Sequence, residues 1–214
     1  DHISSYLFTP SRDATENLLA ENIVTDKIYF VGNIMIDTLV ASMEQIDKSQ
    51  ILQTLKLRQS NTSEVKPYNV LTLHRPSNVD NTESLTKLID SAINISSKHP
   101  TIFPIHPRSR DEIEAIINKL KTDKIICTEP LGYIEFLCLL KHATVVITDS
   151  GGIQEETTHL GTPCITLRTT TERPITISEG TNTLINPMEP NLTKRIIEVI
   201  NSQSSKPARI PELW

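Results

Sequence analysis

Asp149-Ser150-Gly151-Gly152-Ile153-Gln154-Glu155-Glu156 follows Ala143-Thr144-Val145-Val146-Ile147-Thr148 without a break, and this junction decides the fold. The first run reads as a helix opening, the second as a buried β-strand. A strand that ends in a glycine-rich turn and opens a helix leaves free backbone N–H groups facing one point. The helix dipole adds partial positive charge there. Such a junction binds phosphate without a lysine, so it points to a phosphorylated or nucleotide-linked ligand. The plainer alternative is a well-capped helix start. A capping box opened by Ser150 asks for Glu or Gln at position 153, which holds Ile153. A pair of glycines also costs helix stability. Ser150, Gly151 and Gly152 are therefore read as a phosphate cradle.

Outward from this junction, apolar strands alternate with amphipathic helices. Candidate strands lie at 69–73, 101–105, 124–127, 143–148, 163–167 and 182–185, and helices near 82–98, 109–121, 133–141, 151–160 and 190–202. Leu85, Leu88, Ile89, Ala92 and Ile93 repeat at helical spacing and give the helix near 82–98 its buried stripe. This alternation implies a parallel, doubly wound, Rossmann-like α/β sheet. In the strand order 3-2-1-4-5-6, the first and fourth strands meet at the switch point. The first ends in His74-Arg75-Pro76-Ser77-Asn78 and the fourth in Asp149-Ser150-Gly151-Gly152, so two polar loops would flank one crevice. Upstream, 11–21 reads as a helix with Ser11 at its N-cap, 27–31 as a short strand broken by Gly32 and Asn33, and 34–46 as a helix. Residues 48–66 read as a polar connector with a weaker helix, and the stretch from Ser202 to Trp214 as polar, Pro-rich and uncapped.

The 214 residues suit one large domain, or one domain and part of another. A net charge of −5 without a long basic run argues against nucleic-acid binding. No apolar run approaches a membrane span, and no signal peptide opens the chain. Cys127, Cys138 and Cys164 are odd in number and lack a Cys-x-x-Cys spacing, so they read as free thiols of a reducing cytoplasm. The sequons at Asn61, Asn94 and Asn191 carry no weight without secretion. No metal or cofactor is expected.

Other strand ends bring further candidates to the same rim. His74 and Arg75 can neutralise a pyrophosphate, and a histidine there can also hold a proton for a leaving group. Asn78 builds the turn. His106 ends the second strand. The loop from Arg168 through Thr169-Thr170-Thr171-Glu172-Arg173-Pro174 is loaded with cations and hydroxyls, and Arg173 is its substrate-binding candidate. Glu172 is read as able to pair with an arginine and hold that loop. With aromatics at only 4%, Tyr133 and Phe136 placed together suggest a face for a flat base, the alternative being core packing. Glu155 and Glu156 suit the first turns of a helix by dipole alone. Beside a phosphate, a carboxylate makes better sense reaching past it to sugar hydroxyls.

Gly32-Asn33…Asp37, Leu73-His74-Arg75-Pro76-Ser77-Asn78, Pro104-Ile105-His106-Pro107, Glu129-Pro130-Leu131-Gly132-Tyr133, Asp149 to Glu156 and Thr171-Glu172-Arg173-Pro174 occur in this order. Over essentially the whole chain the sequence resembles the non-hydrolysing UDP-N-acetylglucosamine 2-epimerases of bacteria and archaea. The resemblance implies the C-terminal half of a GT-B-type two-domain fold, with the substrate in the interdomain cleft. It implies interconversion of UDP-N-acetylglucosamine and UDP-N-acetylmannosamine, in which UDP is eliminated to give a glycal and re-added with the other configuration at C2. The C2 proton has no adjoining carbonyl to acidify it, so departure of UDP is what makes it removable. By position, Ser150 and Gly151 would hold phosphate, Glu156 the ribose and Phe136 the uracil. His74 and Arg173 would contact phosphates and hexose as the catalytic pair, and His106 would line the cleft.

This sequence has Pro76-Ser77-Asn78 where many members continue Arg-Glu-Asn. It has Pro107-Arg108-Ser109 after His106 where many have an Asn-Pro pair, in a region where some bacterial members bind a second, activating substrate molecule. The family's catalytic carboxylates lie in an N-terminal domain, which would precede Asp1. The expected division is 1–66 as the tail of that domain and the crossover, 67–202 as the UDP-binding domain, and 203–214 as the start of a return segment. A cytoplasmic homodimer making a cell-surface polysaccharide precursor is implied for the whole protein. A GT-B glycosyltransferase or a hydrolysing relative acting on a related UDP-hexose is the alternative.

Overall fold

Strands of a parallel sheet are covered on both faces, and their sequences are correspondingly apolar throughout. Val145–Thr148 and Cys164–Leu167 follow that rule, every residue of both being buried. They lie inside the larger sheet of the chain, seen in a computed structural model that describes residues 2–59, 63–105, 107–203 and 209–214. The elements run β1 (Leu7–Thr9), α1 (Arg12–Ala20), β2 (Ile28–Phe30), α2 (Ile34–Lys48), α3 (Ile51–Thr54), β3 (Asn69–Thr72), α4 (Pro76–Val79), α5 (Thr82–Ile95), β4 (Thr101–Pro104), α6 (Arg110–Leu120), β5 (Ile125–Thr128), α7 (Tyr133–His142), β6 (Val145–Thr148), α8 (Gly151–Leu160), β7 (Cys164–Leu167), α9 (Ile175–Ser178), β8 (Asn182–Ile185) and α10 (Leu192–Gln203).

Among the described residues, six strands form the main sheet in the order β5-β4-β3-β6-β7-β8, all neighbours parallel. This is the expected 3-2-1-4-5-6 order of a doubly wound sheet. Alternation along each strand sorts side chains to two faces. Leu71, Phe103, Val145 and Ile147 pack with Leu85, Leu88 and Ile89 of α5, with α6 and with α10. Val70, Ile102 and Val146 pack with Leu39 and Ile46 of α2, with α3, with Leu137 to Leu140 of α7 and with Ile153 of α8. Thr72 lies opposite Thr148 in the register, their hydroxyls 2.7 Å apart, so β3 and β6 deliver their following loops side by side.

The N-terminal segment forms a separate parallel pair, β1 against β2, over Leu7, Leu18 and Ile23. Tyr6, Phe8 and Tyr29 project from this pair and are exposed, with tilted ring contacts between them. Residues 212–214 lie back on this segment. Glu212 takes two bonds from the Arg12 guanidinium at 2.6 and 2.7 Å, and the Trp214 indole N–H donates to the Pro10 carbonyl at 2.7 Å. Gly32 is required at this crossing: its φ is +82°, and a Cβ there would sit 2.3 Å from the Leu213 carbonyl oxygen.

Where expectation and structure differ, the elements are short. β1, α4 and α9 span three or four residues, too few to show a period. Ser11 does occupy the N-cap of α1, but its side chain makes no capping bond. Among its described residues the 48–66 stretch carries the last residue of α2 and the four residues of α3, and it is less of a polar connector than expected, since Ile51, Leu52 and Leu57 join the core beneath α7.

Candidate functional site

The loops after β3, β5, β6 and β7 meet around the start of α8, and the polar residues of α8 tie them together. A ten-residue helix with Gln154, Glu155, Glu156, Thr157 and Thr158 all buried is unusual, because such side chains bury only when partnered. Gln154, Glu155 and Glu156 find partners in or beside the site loops, whereas the Thr157 hydroxyl donates back to the Ile153 carbonyl at 2.7 Å.

Asp149, fully buried at the end of β6, holds the loop after β3. Its carboxylate accepts from the backbone N–H of His74 at 3.1 Å, from that of Arg75 at 3.0 Å and from the Asn78 amide at 3.0 Å. The His74 ring lies against it, Nδ1 at 2.8 Å from Oδ1. Burial pushes the Asp149 carboxyl up, but the bonds from His74, Arg75 and Asn78 outweigh it and hold the group below the usual carboxylate range. Asn78 also donates to the Leu167 carbonyl at 3.1 Å, which links this turn to the end of β7 and fits its expected turn-building role.

Farther along α8, Glu155 lies 2.7 Å from Nε of Arg173. Burial raises the Glu155 carboxyl above its ordinary value, and Arg173 and Asn33 offset only part of this. Asn33 also caps α2, accepting from the Met35 N–H at 3.0 Å. Gln154 accepts from the Thr171 hydroxyl at 2.7 Å and from the Asn182 amide at 3.1 Å, fixing the base of the Arg168–Pro174 loop. Within that loop Glu172 takes two bonds from Arg168, at 2.6 and 2.7 Å. The Arg168 bonds hold the Glu172 carboxyl down at about 2. Glu172 therefore holds the loop, and Arg173 stays 41% exposed at the rim.

Glu156 is pushed up to about 7, first by burial and then by the charge of Glu155, with a bond from the Tyr133 hydroxyl acting in the opposite direction. Tyr133, not Phe136, is the exposed ring of its pair, and burial together with Glu156 raises its phenol. Phe136 is half-buried and packs against the core under α7, which is the plainer of its two expected roles.

Ser150 is the N-cap residue of α8, yet its hydroxyl makes no capping bond, as Ile153 at the third position foreshadows. A Cβ placed on Gly151 would meet nothing within 4 Å, and one on Gly152 only the Met35 methyl at 3.7 Å. Protein packing therefore does not explain these glycines, although each costs about 1 kcal/mol of helix propensity. Open backbone at the positive end of a helix is the geometry that accepts an anion. Arg75 joins this rim, its Nε donating to the Asp149 carbonyl at 3.4 Å.

The structure thus brings His74, Arg75, Ser150, Gly151, Gly152, Glu156 and Arg173 to one rim. His106 lies outside the described residues. Sequence reasoning assigned no site role to Asp149, Gln154 or Asn33. The signal for the first was in view: a carboxylate at a strand end, followed at once by a glycine turn. Among the described residues no group of three or more His, Cys, Asp or Glu could hold a metal ion, and no helix is long and apolar enough to cross a membrane.

Residues 1–212 match the family model described as UDP-N-acetylglucosamine 2-epimerase. A UDP-N-acetylglucosamine 2-epimerase of Methanococcus maripaludis is 42% identical over 207 residues, covering 94% of this chain and 56% of that protein. The crystal structure of the Methanocaldococcus jannaschii UDP-GlcNAc 2-epimerase in complex with UDP-GlcNAc and UDP superposes with a TM-score of 0.81 at 38% identity, over 98% of this chain and 57% of that one. The Neisseria meningitidis enzyme bound to UDP-GlcNAc superposes with a TM-score of 0.69 at 29% identity, over 94% and 54%. The chain spans about half the length of the relatives it matches. Its fold is the expected one, a Rossmann-like half of the GT-B type.

Proposed function

This chain belongs to the UDP-N-acetylglucosamine 2-epimerase family, and on that premise we propose that it supplies the UDP-binding half of an enzyme that interconverts UDP-N-acetylglucosamine and UDP-N-acetylmannosamine. The observation that carries the reading is the opening of α8: an uncapped Ser150 and two glycines that packing does not require, at the rim where four loops meet. The diphosphate sits at that helix start. Arg75, His74 and Arg173 neutralise it, and neutralising the departing pyrophosphate is the main demand of an elimination. Glu156 accepts from the ribose hydroxyls, and Phe136 or the more exposed Tyr133 lies against uracil.

In this reading residues 1–66 are the tail of the first domain and the crossover, 67–202 the nucleotide domain, and 203–214 the start of a return segment. The whole protein is a cytoplasmic homodimer that makes a precursor of cell-surface polysaccharide. The carboxylates that handle the C2 proton belong to the half that relatives carry beyond the length matched here.

Calorimetric titration of UDP into this chain tests the reading. Binding is expected, and an Arg173→Ala, Ser150→Ala double variant should weaken it at least tenfold, since a bond to a charged group is worth about 1.5–3 kcal/mol. Equal affinity of the two proteins would sink the assignment of the site. The 214-residue chain alone is expected to bind without turnover. Epimerisation by it would overturn the division of labour between halves.

A further inference from the structure

We propose that Asp149 is a positioning residue for His74: its carboxylate makes Nδ1 the protonated ring nitrogen and leaves Nε2 as the nitrogen that exchanges protons at the site. The proposal rests on the reading of this rim as the nucleotide-sugar site.

β3 and β6 are neighbours, and Thr72 pairs with Thr148, so the next residues of both strands leave the sheet together. Asp149 then turns into the protein, fully buried, beneath the His74 loop. The partners of its carboxylate described above are all nitrogens: the His74 and Arg75 backbone, the Asn78 amide and the His74 ring. An ionised carboxylate only accepts, so each partner must donate. A neutral imidazole has one N–H. Placing it on Nδ1, 2.8 Å from Asp149, leaves the lone pair on Nε2.

The carboxylate does not depend on the imidazole for its own position. Two backbone N–H groups and a buried side-chain amide hold it whether or not the ring is there. The orientation is therefore built into the loop, and the His74 side chain, 49% exposed, is aimed rather than trapped. A histidine whose far nitrogen is held by a carboxylate keeps one tautomer and tolerates the imidazolium form beside a fixed negative charge. In the proposed elimination, the imidazolium gives its Nε2 proton to an oxygen of the departing diphosphate and becomes the neutral Nδ1–H tautomer. On re-addition Nε2 takes that proton back. As the C1–O bond breaks, the C2 proton passes to a carboxylate of the other half and the C1=C2 bond forms; on re-addition the carboxylates of that half return a proton to C2. An asparagine at 149 could still accept from the loop N–H groups, but it would also offer Nδ1 an amide N–H, which demands the lone pair there and moves the ring proton to Nε2.

Long-range proton–nitrogen spectra of the ring-labelled chain read the tautomer directly, with His74 assigned by the signals that His74→Gln removes. The expected result is Nδ1–H in the parent chain and a shift toward Nε2–H in Asp149→Asn. An Nε2–H tautomer or an even mixture in the parent overturns the proposal, and this spectrum decides even where the variant is too unstable to purify. In the whole protein, folded Asp149→Asn should lose about 10²–10⁴-fold in kcat, as expected for misplaced general acid–base chemistry, with KM changed less than about threefold. Unchanged kcat, or a loss confined to KM, would refute it. The tautomer needs no turnover, so a whole protein that never epimerises would sink the proposed reaction while leaving the Asp149–His74 result standing.

Discussion

Helices α5 and α8 pack on opposite faces of one sheet and follow opposite rules. α5 is capped by Asn81, whose side chain accepts from the Ser84 N–H at 2.9 Å, and it buries Leu85, Leu88, Ile89 and Ala92. α8 opens on an uncapped serine and two glycines, and it buries Gln154, Glu155, Glu156 and two threonines. The first helix stabilises the sheet through apolar burial. The second spends stability to hold loops in place around an open helix start. The difference separates a helix built for packing from one whose polar residues organise the loops around its start.

The comparison breaks most visibly at Leu85, which is fully buried. Leu85→Ala should cost about 2–5 kcal/mol in urea unfolding, because the cavity adds to the lost transfer energy. The UDP affinity of the folded protein should stay within about twofold. A large affinity loss would mean that α5 also shapes the site.

A smaller effect comes from the acidic pair of α8. Glu156 is raised from 4.5 to about 7, and Glu155 is raised as well. A carboxyl with a raised folded-state pKa binds its proton more tightly in the native state, so it stabilises at low pH. Stability should therefore fall as pH rises between about 4.5 and 7, by an amount on the order of 1–3 kcal/mol. Glu156→Gln should flatten that slope in unfolding curves taken across the window. An unchanged slope would place the titration elsewhere.

The finest contrast is between the two helix starts. Asn81→Ala should cost about 1 kcal/mol of stability and leave UDP binding alone. Ser150→Ala should leave stability within about 0.5 kcal/mol, since no cap bond is lost, while weakening UDP binding about tenfold. Equal stability losses in the two variants would erase the distinction.

The central sheet was legible because its strands are continuous apolar runs and its longer helices carry full turns of periodic residues. Leu85 to Ile93 is an example, and the order of the six strands came from the doubly wound template that alternating strands and helices suggest. The uncapped opening of α8 was legible because Ile153 breaks the capping box that Ser150 would otherwise open. α4 and α9 escaped notice because a single turn has no period. Phe136 stayed ambiguous, since an aromatic beside a helix start looks the same in sequence whether it stacks on a base or packs on the core, and in the fold it is half-buried beside the exposed Tyr133.

By itself, the sequence determined the doubly wound sheet, the crevice at its switch point and the family of the chain, because local periodicity and short contiguous motifs encode all three. Only the tertiary structure decided what the polar run of α8 does. Asp149 meets His74, Gln154 meets Thr171 and Asn182, and Glu155 meets Arg173 across gaps of 75, 17, 28 and 18 residues that no spacing rule connects. Burial then makes each partnership obligatory, because a polar group taken out of water must find its hydrogen bond within the fold.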